Sequence, residues 1–150
     1  MPPGAFEALQ AFSNAALKTA RKAGLSRSTI DLVELRASQI NACAVCLDMH
    51  SRAAKKAGES DERLNTLAAW REAPYFTDAE RAALALTEAG TRLADRADAV
   101  PDDIYAAAAR HYDEPALAAL VVMIAAINAW NRLNVITGQV AGDWTAQVAG

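Results

Sequence analysis

Asp113-Glu-Pro-Ala-Leu-Ala-Ala-Leu-Val-Val-Met-Ile-Ala-Ala-Ile-Asn-Ala-Trp-Asn-Arg-Leu-Asn-Val-Ile136 is the stretch on which the fold turns. Asp113 followed by Pro115 is a helix start: the carboxylate accepts from first-turn N–H groups, and proline fits where no N–H partner is needed. No charge interrupts the segment from Ala116 to Ile127. A helix apolar on nearly every side belongs either at the centre of a bundle or between subunits. That run is too short to span a bilayer. In so short a chain it predicts a homo-oligomer.

Working outward, the remaining turn signals divide the chain into pieces of helical periodicity. One helix is expected from Phe6 to about Ala23, stopped by Gly24. A second starts near Ser26 or Ser28 and ends around Asn41, with Ile30, Val33, Ala37 and Ile40 as its inward stripe. A third starts near Cys43 and stops at Gly58. Ser60 caps a fourth that runs to Trp70. Thr77-Asp78-Ala79-Glu80 has the form of a capping box and opens a fifth, to about Leu93. Pro101 sits at the first turn of a sixth. No stretch alternates with period two. Alanine makes up about a quarter of the chain, with only 7 Gly and 5 Pro, a mixture that loses little entropy on forming helix. The expectation is one all-α domain over residues 1–150, a bundle of about six to seven helices.

The net charge of −3 is spread without a basic stripe, which argues against nucleic-acid binding. Lys55-Lys56 reads as a solvated helix face. Met1-Pro2-Pro3-Gly4 lacks the parts of a secretory signal, so a cytoplasmic protein off the membrane is expected. In a reducing compartment, paired cysteines are more often catalytic or metal-binding than structural.

The two cysteines lie in Glu34-Leu-Arg-Ala-Ser-Gln-Ile-Asn-Ala-Cys43-Ala-Val-Cys46-Leu-Asp-Met-His50. On a helix, Cys46 falls about 60° and His50 about 20° from Cys43, so all three share one face. Cysteines three apart can bond with little movement. In a first turn, unpaired N–H groups favour a thiolate. His50, one turn beyond Cys46, can take its proton. The short turn around Asn41 folds the preceding helix back, which can bring Glu34 to orient the imidazole. A structural disulfide is a poor reading, since so short a loop contributes only about 2 kcal/mol. Zinc held by Cys43, Cys46, His50 and His111 lacks a second close ligand pair. Haem attachment fails because Leu47 occupies the required His position. Met49 and Met123 read as core filler. Asn128, Trp130, Asn131 and Arg132 form either a polar helix end, with Trp in the core and Arg paired to an acid, or a pocket wall or subunit contact near the dithiol.

The motif Glu34, Cys43, Cys46, His50 resembles the alkyl hydroperoxidase D-like branch of the carboxymuconolactone decarboxylase family. The likeness extends through Leu35 to Asn41, Leu47 to His50, Glu59-Ser60, Ala69 to Pro74, Glu80 to Leu84 and Ile127 to Arg132, spanning roughly residues 5 to 137. It implies an oligomeric all-helical fold and peroxide reduction, with Cys46 attacking, Cys43 resolving, and His50 with Glu34 as proton relay. It further implies an external dithiol or lipoyl-bearing protein as reductant; no cofactor or metal is expected. Three departures stand out: Val45 where the founding enzymes have a second His, Ala42 where Gly is common, and a Glu closer to the first Cys. The Cys pair argues against lactone decarboxylation. Two alternatives remain, a thiol–disulfide oxidoreductase and a non-catalytic redox-sensing module.

Overall fold

A computed structural model describes Pro2 and residues 4–142. Among them are seven α-helices, one 3-10 helix and no strand. The α-helices are α1 (Ala5–Lys22), α2 (Arg27–Ile40), α3 (Ala44–Lys56), α4 (Asp61–Thr66), α5 (Asp78–Thr91), α6 (Asp102–His111) and α7 (Glu114–Ile136). The 3-10 helix Leu67–Glu72 follows α4 directly.

The starts are capped as the sequence predicts. Ser26, Ser60 and Asp113 each accept from a backbone N–H of the first turn. Thr77 and Glu80 complete a reciprocal capping box. The expected single helix from Ser60 to Trp70 splits in two. Ala69 leaves helical geometry (φ −120°, ψ 35°), and the chain tightens into the 3-10 segment. The change lets Leu67 and Trp70, both buried, pack with Leu32, Leu35 and Leu84.

Two helices make the centre. α7 is long and apolar enough to cross a membrane by length and composition, because it stays helical beyond the apolar run. More than half of its most apolar window is buried inside the protein, against α1, α2 and α5, as for a core helix. α2 is enclosed on more sides than its predicted stripe implies. Ile30 and Val33 join the cluster with α1, α5 and α7, whereas Leu32 and Leu35 join the cluster around Trp70. Burying each such aliphatic side chain is worth about 1.5–3 kcal/mol, so α2 is the seam between the two clusters. Ile40, placed in the stripe by its spacing, is only half-buried.

Candidate active site: a dithiol between two recesses

Helix α2 ends in a Schellman motif that delivers the first cysteine. Cys43 N–H donates to Ser38 O (3.0 Å) and Ala42 N–H to Gln39 O (3.3 Å). The motif needs a left-handed residue, and Ala42 takes it with φ 53°. The same bonding pattern closes α1, α3 and α7, where Gly24, Gly58 and Gly138 hold that position. The dithiol turn alone among these four carries a Cβ there.

Cys43 is the N-cap of α3, in extended geometry (φ −85°, ψ 93°), and its Sγ accepts from Cys46 N–H at 3.4 Å. Cys46 lies in the first turn. The two sulfurs are bonded to each other, with Cα atoms 5.3 Å apart, inside the usual disulfide range. Each cysteine is 1% exposed.

Because Cys43 is outside the helix body, the expected common face of Cys43, Cys46 and His50 does not form. Cys46 and His50 open on a recess of about 430 Å³, together with Glu34, Val45, Met49 and Trp130. Cys43 lines a different recess, of about 200 Å³. The helical-wheel angle fails at a residue whose dihedrals are not helical.

The turn does bring Glu34 to His50. His50 Nδ1 is 3.0 Å from Glu34 Oε2, with the two side chains 17% and 18% exposed. A carboxylate at Nδ1 holds the proton on that nitrogen and leaves the Nε2 lone pair free. Behind them, Asp31 is buried and paired with Arg27. Burial pushes its carboxyl up, partly offset by Arg27; Glu34 adds to the rise and His50 opposes it.

The turn is clamped to α7 by asparagines. Asn41 Nδ2–H donates to Asn128 Oδ1 (2.9 Å) and Asn131 Oδ1 (3.0 Å). Asn131 Nδ2–H donates to Ser38 Oγ, and Asn128 Nδ2–H to Thr91 Oγ1, both at 3.0 Å. One helical turn past Asn131, Asn134 Nδ2–H donates to Cys46 Sγ at 3.3 Å.

Residues 3–89 match the model of the carboxymuconolactone decarboxylase family, more than half of the chain and all of the dithiol motif. The chain belongs to the carboxymuconolactone decarboxylase family. Among its relatives is the uncharacterized protein YdfG of Bacillus subtilis (strain 168), 39% identical over 126 residues that cover 84% of each protein. The uncharacterized protein YnjA of Escherichia coli (strain K12) is 36% identical over 104 residues, 69% of this chain and 55% of that protein. The fold matches that of a protein of unknown function from Agrobacterium tumefaciens, proposed to be the antioxidant defence protein AhpD. That match has a TM-score of 0.84 and 36% identity, over 93% of this chain and 91% of that one. The debrominase Bmp8 shares the fold at TM-score 0.73 and 19% identity, over 87% of this chain and 69% of that one.

In this family member, the residues at the end of α7 divide between the two readings open from sequence. Trp130 is a recess wall, not a core residue: it meets Phe6 edge-on at 5.4 Å and donates from Nε1 to Ser13 Oγ. Asn128 and Asn131 are buried clamps. Arg132 donates to Asn128 Oδ1 (2.8 Å), and among the described residues no carboxylate pairs with it. Met123 is buried as expected, but Met49 is 39% exposed at the recess. Among the described residues no three His, Cys, Asp or Glu side chains converge as metal ligands, and His111 ends α6. The sequence marks Asn41 only as the turn after its helix and does not single out Asn134. A trace of Asn134 is there: Asn128, Asn131 and Asn134, three apart, form a polar stripe on a mostly apolar helix.

Proposed function

We propose that this protein is a thiol-dependent peroxidase of the alkyl hydroperoxidase D type. The observation that carries the reading is the single recess onto which Cys46, His50 and Glu34 open. In the reduced protein, His50 takes the Cys46 proton and Glu34 steadies the imidazolium. The thiolate attacks the distal peroxide oxygen, the O–O bond breaks, and His50 returns the proton to the leaving alkoxide. Cys46 is left as a sulfenic acid; Cys43 attacks its sulfur, water leaves, and the disulfide forms. An external dithiol supplies the two electrons that restore the pair. The recess walls include Phe6, Leu17, Met123 and Trp130, which suits an organic hydroperoxide with an apolar tail better than hydrogen peroxide.

The test is stopped-flow oxidation of the reduced protein by cumene hydroperoxide and by hydrogen peroxide, with thiols counted before and after. Two thiols are lost per peroxide, and Cys43→Ser leaves a trappable sulfenic acid on Cys46. Glu34→Gln slows the reaction less than His50→Ala, since it acts only through the imidazole. A sulfenic acid trapped on Cys43 in the Cys46→Ser protein, with none on Cys46 in Cys43→Ser, reverses the roles. Turnover of protein disulfides with no peroxide consumption replaces the reading by thiol–disulfide exchange.

We also propose that the working form is a cytoplasmic homo-oligomer. A second copy would cover the groove where Leu93, Tyr105 and Val121 are exposed beside Leu86 and Ile124. Light scattering at micromolar concentration gives a particle of at least two subunits, and Val121→Glu lowers its mass. A monomer across the concentration range defeats this.

A further inference from the structure

The two recesses meet the disulfide at different ends. Cys46 lines the larger, with the imidazole; Cys43 lines the smaller, with Ala42, Ala44, Val135, Gly138 and Gln139. Asn134 and Gln139 border both, so the two recesses are neighbours. Each cysteine is 1% exposed, recess walls included, so an incoming thiol must press past the lining of one recess or the other to reach a sulfur.

We infer that the disulfide is reduced from the smaller recess and not from the one that peroxide uses, by a thiol that enters it and attacks Cys43 while Cys46 departs. The inference rests on the peroxidase reading only for the side that peroxide uses. Thiol–disulfide exchange is fastest when the departing sulfur is the better-stabilised thiolate. Cys46 Sγ already receives Asn134 Nδ2–H at 3.3 Å and shares its recess with His50, which can pair with the new anion or protonate it. Cys43 Sγ has Cys46 N–H at 3.4 Å, a group that cannot deliver a proton.

The electrons balance without another reagent. The thiolate of a small dithiol forms a bond to Cys43 Sγ as the Cys43–Cys46 bond breaks and the electron pair goes to Cys46. The second thiol of the same molecule then attacks its own bonded sulfur, closes a ring disulfide and releases Cys43 as a thiolate that takes up a proton. The dithiol loses two electrons and the protein gains two. A space of about 200 Å³ admits a thiol on a slim, unbranched arm, and none of its lining side chains is charged. The preferred reductant at this mouth is therefore an uncharged alkyl dithiol, ahead of a thiol that carries carboxylates.

The regiochemistry can be read directly on the full-length protein, oxidised with diamide so that no peroxide step is involved. The disulfide is opened with 2-mercaptoethanol in the presence of excess iodoacetamide and the peptides are weighed. The expected product carries mercaptoethanol on Cys43 and the alkyl group on Cys46, in at least about tenfold excess over the reverse. Asn134→Leu, which lacks the N–H, moves the ratio toward equality. Ala44→Trp fills the rim of the smaller recess, and Val135→Trp does so from α7 should the first fail to fold. Either slows reduction by dithiothreitol about tenfold and leaves oxidation by peroxide within about twofold of wild type. Mercaptoethanol found mainly on Cys46, or shared equally in the wild type, overturns the inference, as does wild-type reduction in both tryptophan variants. Absence of peroxide turnover with the Cys43 adduct intact fails the peroxidase reading and leaves this one standing.

Discussion

Glu34 and Arg36 are two residues apart on α2, yet they enter opposite kinds of polar environment. Arg36 reaches Glu88, whose carboxylate also receives Trp70 Nε1–H (2.8 Å) and an Arg71 N–H (2.7 Å). Nearby, Arg63 is held by Glu59 (2.7 Å) and Glu80 (2.6 Å), with Ser28 joining the network. Burial alone would push the Glu59, Glu80 and Glu88 carboxyls up. Hydrogen bonds outweigh it in each case, from Ser28 and Arg63 at Glu59, from Arg63 and Thr77 at Glu80, and from Arg71, Trp70 and Arg36 at Glu88. All three are held below the ordinary range. Glu34 instead meets His50 at Nδ1, on the wall of a recess, and among the described residues nothing is hydrogen-bonded to Nε2. A charge surrounded by fixed donors stabilises a shape, whereas a titratable pair with one open position can pass a proton.

That contrast can be broken by removing one member on each side. His50→Ala lowers the rate of Cys46 oxidation by about 10²–10⁴-fold, the usual size of acid–base assistance, with an unchanged urea midpoint. If both His50→Ala and Glu34→Gln react within about twofold of wild type across the pH range, no relay exists. Glu88→Gln does the reverse. It leaves Arg36 buried without its counter-charge and costs about 3–5 kcal/mol in urea unfolding. The oxidation rate per folded molecule stays the same.

Acid titration sharpens the comparison. The folded values of Glu59, Glu80 and Glu88 lie below their unfolded values. Their contribution is therefore complete above the unfolded glutamate value of about 4.3 and lost as pH falls through the folded values. Asp31 runs the other way: raised by burial, it costs stability as pH climbs through the acid range. We expect the three lowered carboxyls to outweigh Asp31, giving a fall in the melting temperature on acidification below about pH 4. Glu88→Gln flattens that fall, and a Glu88→Gln curve as steep as that of wild type would contradict the assignment.

Smaller effects come from the dithiol turn. Asn131 is fully buried and bonded to both Asn41 and Ser38. Asn131→Ala leaves those groups short of a partner and costs about 1–3 kcal/mol by denaturant unfolding. Ala42→Gly is expected to stabilise by about 1 kcal/mol or less. It removes the left-handed penalty of about 1–2 kcal/mol and loses part of that gain to the greater freedom of glycine when unfolded. A destabilised Ala42→Gly protein would mean that the Ala42 methyl makes contacts worth more than its strain.

Local chemistry was enough for the helices. Ser26, Ser60, Thr77 and Asp113 act on N–H groups within three residues, and that reach is visible in a linear string. The family motif placed Glu34, Cys43, Cys46 and His50 together for the same reason, since a single turn joins their helices. The split at Ala69 was hidden because Leu67 and Trp70 are drawn to partners on α2 and α5, and no local propensity reports that pull. Asn134 was hidden because its sulfur partner lies 88 residues away.

By itself, then, the sequence determined an all-helical chain with a dithiol, an imidazole and a carboxylate in one short segment, because periodicity, capping and turn chemistry act over a few residues. Only the tertiary structure decided that Cys43 and Cys46 face different recesses and that asparagines of α7 grip the turn and one sulfur. Those outcomes depend on how α7 lies against α2 and α3, which long-range packing sets.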